Sequence, residues 1–243
     1  MTGSSLFTRC LMAAAAVAGT GSLVMFLALP LGSLTILDPG WPEPSMLGWD
    51  AGLSLLFFLQ HSGMIRARFR ARMALVLPER FHGVVYALAS GIVLTLVILL
   101  WQTSPTSWFV IRGPALWVVR TCALLAVLVF LWSMWALRTF DPLGFGPLRA
   151  HLRRLPYRPP PFVLRGPYRW VRHPLYVCLL VLIWTGRDFT SDRLLFDLMW
   201  TAWIVMAARP EERDLLARFG ETYRDYQRRV PMFVPWRRPV AQG

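Results

Sequence analysis

Apolar residues in this chain gather in helix-length runs, and polar residues gather between them. The first run, about 10–37, follows Arg9 and reads CLMAAAAVAGTGSLVMFLALPLGSLTIL. It is longer than the apolar core of a signal peptide, so it reads as a retained helix. An acidic loop rich in Pro and Gly, DPGWPEPSMLGWD, covers 38–50. The second run, about 51–65, ends in a basic flank, RARFRARM. The third run is about 83–101 and the fourth about 115–137, with Pro105 and Pro114 in the loop between them. A polar, Pro-rich segment covers 138–173. The last apolar region, 174–208, is interrupted by GRDFTSDR at 186–193 and predicts a helical hairpin with arms 174–185 and 194–208. Each arm is shorter than the roughly 20 residues that a perpendicular span needs. The tail from 210 has charges at helical spacing, with Leu215, Leu216 and Phe219 on one side. It predicts an amphipathic cytoplasmic helix broken near Gly220.

The pattern predicts an all-α integral membrane protein with about five to six membrane helices and a cytoplasmic C-terminal helical segment. Composition strengthens this: 56% of the 243 residues are hydrophobic, above the usual share of a soluble domain. The organisation expected is a single membrane domain, 1–243. Within it, 1–50 form a peripheral first helix and outer loop, 51–137 the core membrane helices, and 138–243 the region that carries the chemistry.

Charge adds an orientation. The net charge is +13, and all 26 basic residues are Arg. With the N-terminus in the cytoplasm, Arg9, the 66–80 loop, the 138–173 segment and the tail from 209 place 22 of the 26 Arg inside. The outward loops hold Asp38, Glu43, Asp50, Asp188 and Asp192 against Arg112, Arg187 and Arg193. The positive-inside rule then puts both termini in the cytoplasm, for a multi-pass protein of the cell membrane. Basic residues set between apolar runs suit anionic lipid headgroups, not nucleic acid. Cys10, Cys122 and Cys178 lie far apart in apolar stretches, which matches neither a disulfide framework nor a metal site.

The dense polar features all fall at the cytoplasmic level: QHSGMIRARFR (60–70), PER (78–80), GPYRWVRHPLY (166–176) and RPEERDLLARFGETYRDY (209–226). Ionisable groups at that depth line cavities more often than they face lipid. Pro174 suits the first position of a helix, whose first-turn N–H groups offer donors and partial positive charge to an anion or a ribose oxygen. His173 and Tyr176 flank that turn. Glu211 and Glu212 are expected to begin the tail helix, where acids favour the positive end of the dipole.

At these residues the chain resembles the isoprenylcysteine carboxyl methyltransferase superfamily of membrane enzymes, and within it the bacterial methanethiol S-methyltransferases. The resemblance rests on GPYRWVRHPLY and EERDLLARFGETYRDYQRRVPMFVP, with looser support from LQHSGMIRARF (59–69), Glu79-Arg80, FDPLGFGPLR (140–149) and FTSDRLLFDLMWTAWI (189–204). It implies S-adenosylmethionine as cofactor, with S-adenosylhomocysteine as product. It also implies that Phe162, Val163, Tyr168, His173, Pro174, Leu175, Tyr176 and Glu211 bind this cofactor. Ala207 stands where the prenylcysteine enzymes place an Arg for their substrate carboxylate, with Arg209 the nearest Arg, which counts against such a substrate. Cys178 stands where Gly is common, and Arg153 and Pro160 replace a Gln and a His of those enzymes.

A small lipophilic or volatile thiol, methanethiol yielding dimethyl sulfide, is the acceptor this resemblance implies. No metal is expected. A thiol must lose its proton, which makes His61 a candidate base and Arg66 a candidate for favouring the thiolate. Gln60, Arg172, Arg209 and Glu212 are the candidate substrate-binding residues. The alternatives are a lipid or prenylated acceptor, an NADPH-dependent reductase on a related fold, and a non-enzymatic accessory protein related to nitric-oxide metabolism.

Overall fold

The computed structural model describes residues 2–32, 36–137 and 141–240, with the side chains of 2–4 and 31 outside the description. In chain order its elements are α1 (Thr2–Ala28), α2 (Glu43–Ile65), α3 (Ala67–Met73), α4 (His82–Leu100), β1 (Ser107–Val110), α5 (Pro114–Ala136), α6 (Phe145–Leu152), α7 (Pro174–Ile183), β2 (Asp188–Thr190), α8 (Ser191–Phe219) and α9 (Glu221–Arg229). The chain is an all-α membrane protein. Among the described residues, Ser5–Ala28, Glu79–Leu100 and Pro114–Ala136 are long and apolar enough to cross a membrane, and Pro174–Ile183 is a shorter apolar helix.

The described residues form two compact units, 1–105 with 141–159, and 106–140 with 160–243. In the first unit, α1 packs on α4 through small residues. A Cβ at Gly91 would fall 2.5 Å from the carbonyl carbon of Ala18, so the two backbones touch there. Small residues allow this approach, and in lipid such close packing, more than apolar transfer, holds helices together. Ala15, Val84, Ala87, Phe145 and Leu148 form the buried core beside the contact. Gly144, at φ +68°, comes within 2.4 Å of Gly83 by the same measure. Asp141 accepts the Phe145 N–H at 2.8 Å and also that of Gly146, which caps α6.

The α2 helix starts earlier than its apolar run. Glu43 and Asp50, expected in an outer loop, lie within it. Asp50 is fully buried and accepts the Gln102 N–H at 2.9 Å, tying α2 to the end of α4. Burial is tolerable because a backbone donor meets the carboxylate.

In the second unit, α5 packs against α7, and β1 pairs antiparallel with β2, Phe109 opposite Phe189. The ribbon brings the loop before α5 and the loop before α8 to one end. Three and four residues are too few for the alternation of a strand to be legible. The tail differs from expectation too: α8 runs without interruption through Pro210. Glu211 and Glu212 are therefore mid-helix residues, and stabilisation at a helix start does not explain them. Gly220, at φ +56°, ends α8 where expected, and α9 follows. Asp192, expected in an outer loop, is buried in the first turn of α8. Asp197 is fully buried, with Arg193 Nε 3.2 Å away one turn earlier.

Candidate active site

Pro174 occupies the first turn of α7 and His173 its N-cap, with no side chain capping the turn. The positive end of the α7 dipole therefore faces out at His173. His173 is held from several directions. Its backbone N–H donates to Met232 O at 3.2 Å, its ring stacks on Tyr176 at 5.2 Å between centroids, and Phe233 packs against it at 5.8 Å.

Beneath this turn lies a polar latch. Arg172 meets Glu212 with two bonds, Nε to Oε1 at 2.5 Å and Nη2 to Oε2 at 3.0 Å. Its Nη1 donates to the carbonyls of Gln227 at 3.1 Å and Val230 at 2.6 Å. Glu212 also lies 3.1 Å from His173 Nε2 and accepts from Gln227 Nε2 at 2.9 Å. Burial alone would raise the Glu212 pKa, but hydrogen bonds from His173, Arg172 and Gln227 and the charge of Arg172 outweigh it and hold the carboxyl at about 2. One carboxylate thus joins the start of α7, the end of α8 and α9.

Glu211, beside it, points elsewhere. Its carboxylate is half-exposed and accepts from the Tyr176 hydroxyl at 2.5 Å. Phe162, Val163, Tyr168, His173, Pro174, Leu175, Tyr176 and Glu211 all line a single cavity of about 210 Å3. Arg172 reaches the same wall. Sequence reasoning missed Arg218, Phe219, Tyr223 and Tyr226 as lining residues. Phe162 packs its ring against Phe219, Tyr223 and Tyr226 at 5.4, 5.9 and 5.3 Å. The signal was the YRDY of the tail, whose Tyr spacing puts both rings on one face of α9. Burial, then the charge of Glu211, pushes the Tyr168 phenol upward, so it serves as a hydrogen-bonding group and not as a base. Burial likewise raises Tyr223 and Tyr226.

The other candidates lie elsewhere. Arg209 is exposed on α8. Gln60, His61 and Arg66 belong to the first unit. There His61 Nε2 lies 2.8 Å from the Tyr86 hydroxyl, and Gln60 donates to Ser90 Oγ at 3.2 Å. Arg66 is exposed just past the end of α2.

The family model described as NnrU protein matches residues 51–189. The chain belongs to the NnrU family. It is 36% identical over 207 residues to a methanethiol S-methyltransferase of Pseudomonas sp. (strain GM41(2012)), covering 82% of this chain and 77% of that one. It is 34% identical over 185 residues to the methanethiol S-methyltransferase of Mycobacterium tuberculosis, covering 74% and 75%. Nurim of Mus musculus is 30% identical over 191 residues, covering 70% and 68%. No solved structure matches. NnrU-family membership and these relatives agree with the resemblance to the isoprenylcysteine carboxyl methyltransferase superfamily carried by GPYRWVRHPLY and EERDLL.

Proposed function

We propose that this NnrU-family protein is a membrane-embedded S-methyltransferase that uses S-adenosylmethionine to methylate a small thiol, methanethiol to dimethyl sulfide. The observation that carries the reading is the convergence of Tyr168, the His173–Tyr176 turn and Glu211 on one cavity. The names of the relatives support it.

The donor set suits the cofactor. Glu211 offers a carboxylate to an amine or to ribose hydroxyls, Arg218 suits a carboxylate, and Phe162, Phe219 and Tyr223 offer an apolar wall to a purine. When bound, S-adenosylmethionine supplies a methyl group on a sulfonium, already a good leaving group, so the protein needs no strong acid. The protein's part is to orient and to exclude water, which in favourable cases lowers a barrier by roughly 7–11 kcal/mol. In this reading the Arg172–Glu212 latch fixes His173 and α7. The acceptor attacks as its thiolate, its proton having passed to water before entry.

The protein is proposed to sit as a multi-pass protein of the bacterial inner membrane with both termini in the cytoplasm, on the strength of its Arg distribution. The test is titration of purified protein with S-adenosylmethionine by calorimetry, then headspace detection of dimethyl sulfide after adding methanethiol. Saturable binding and product formation are expected. Absence of cofactor binding would overturn the reading and leave the non-enzymatic accessory one. Binding with turnover of lipid or prenylated acceptors alone would move the acceptor.

A further inference from the structure

At the end of α5 away from the β1–β2 ribbon, a cleft of about 310 Å3 is lined by Trp132, Trp135, Arg165, Gly166, Arg169 and Trp170. Its walls are fixed. Gly166 has φ +54°, and a Cβ there would fall 2.9 Å from Ala136 Cβ and 3.3 Å from Trp132 Nε1, so the turn sits directly on α5. Arg169 Nε donates to Val240 O at 2.5 Å, and Val240 N–H donates back to Arg169 O at 3.2 Å. Trp132 and Trp170 meet edge to face at 5.6 Å.

The charge of the cleft is one-sided. Among the described residues no carboxylate lines it and none pairs with Arg165 or Arg169. The C-terminus of α5 adds roughly half a negative charge, against two full positive charges. Guanidinium forks match phosphate oxygens in geometry as well as charge. Trp rings gather where a membrane helix meets the headgroup layer, and α5 ends here. Leu128, Leu131 and Trp135 are exposed along one face of α5 leading to the cleft, and Trp135 is 61% exposed. An apolar rail of this kind suits an acyl chain and offers nothing to a free phosphate.

We propose that this cleft binds the phosphodiester headgroup of an anionic membrane phospholipid. Arg165 and Arg169 take the phosphate oxygens, the Trp rings bracket the glycerol, and the exposed face of α5 carries an acyl chain. The site is independent of the methyl-transfer reading. The 3-10 turn Gly166–Arg169 that builds it also presents Tyr168 to the other cavity.

The test is native mass spectrometry of the full-length protein released from mild detergent, with phosphatidylglycerol, phosphatidylcholine and sn-glycerol 3-phosphate as probes. Phosphatidylglycerol is expected to be retained about tenfold better than phosphatidylcholine, and the double variant Arg165→Gln/Arg169→Gln is expected to abolish that preference. Equal retention of the two lipids, or an unchanged preference in the double variant, would overturn the proposal. Strong competition by sn-glycerol 3-phosphate would overturn the lipid assignment in favour of a soluble phosphate. Circular dichroism checks that the double variant folds. If it does not, Trp135→Ala keeps both Arg and is expected to lower phosphatidylglycerol retention about threefold, and unchanged retention would again overturn the site.

Discussion

In the first unit α1 and α4 meet backbone to backbone, with Gly91 against Ala18, whereas in the second unit the start of α7 is joined to α8 and α9 through ionised groups. The first contact is made by removing side chains and the second by satisfying them. Within lipid, apolar surface gains little from leaving its surroundings, so helices are held by close packing or by polar bonds. The two differ in consequence. A packed seam tolerates no added volume but is indifferent to pH, whereas a polar latch tolerates neither the loss of a partner nor its protonation.

The sharpest way to break the comparison is Arg172→Ala. It leaves the Glu212 carboxylate with only His173 and Gln227 and takes the guanidinium from the carbonyls of Gln227 and Val230. Loss of one partner from a largely buried pair costs about 3 kcal/mol. A large fall in the thermal unfolding midpoint in detergent is expected, with loss of measurable S-adenosylmethionine binding by calorimetry. An unchanged midpoint would show that the latch is ornamental.

Gly91→Val tests the seam. Its Cβ alone would fall 2.5 Å from Ala18, and overpacking of this kind costs typically about 1–3 kcal/mol. The unfolding midpoint should drop, while cofactor affinity, read by residues of the second unit, should stay within about twofold of wild type. A matching loss of affinity would remove the distinction drawn between the two contacts.

Acid sharpens it further. Glu212 titrates at about 2 in the folded protein against an ordinary 4.5, so its stabilisation is fully present above 4.5 and is lost as pH falls toward 2. The unfolding midpoint of the wild type should fall across that window, and Glu212→Gln should fall less steeply. Parallel curves for the two proteins would place the acid sensitivity elsewhere.

Tyr176→Phe is the smallest change. It removes the 2.5 Å bond to Glu211 and keeps the ring stacked on His173. A hydrogen bond to a charged group contributes about 1.5 kcal/mol. The midpoint should fall slightly and cofactor affinity severalfold, because Glu211 is no longer held in place, whereas an unchanged affinity would show that this bond does not position Glu211 for the cofactor.

Much of the helical framework was legible because span-length apolar runs leave few other structures open to the chain. The start of α7 was legible as well, since Pro174 is well suited to a first turn. The ribbon was not, because strands as short as β1 and β2 carry no periodicity. The continuity of α8 was hidden by Pro210, which removes one backbone bond yet did not end the helix. Within the cavity, Tyr168, His173, Tyr176 and Glu211 were indicated by family resemblance, while Phe219 at the end of α8 and Tyr223 and Tyr226 on α9 close over Phe162. The division of labour between the two adjacent acids was invisible in EERDLL. A helix turns by about 100° per residue, so neighbours face different surroundings, and only packing decides that Glu212 meets Arg172 while Glu211 meets Tyr176.

The shortness of α7 has a consequence for biogenesis. Ten residues reach about 15 Å, half the thickness of a bilayer interior. The Trp184 indole N–H just past its end donates to Thr201, at 2.9 Å, well inside α8, and Arg193 reaches back to the Ile183 carbonyl. Neither α7 nor α8 is among the helices long and apolar enough to cross alone. The insertion machinery would therefore have to hold α7 until α8 has been synthesised and release the two together. A chain truncated before residue 191 should accordingly leave Cys178 of α7 open to a membrane-impermeant thiol reagent.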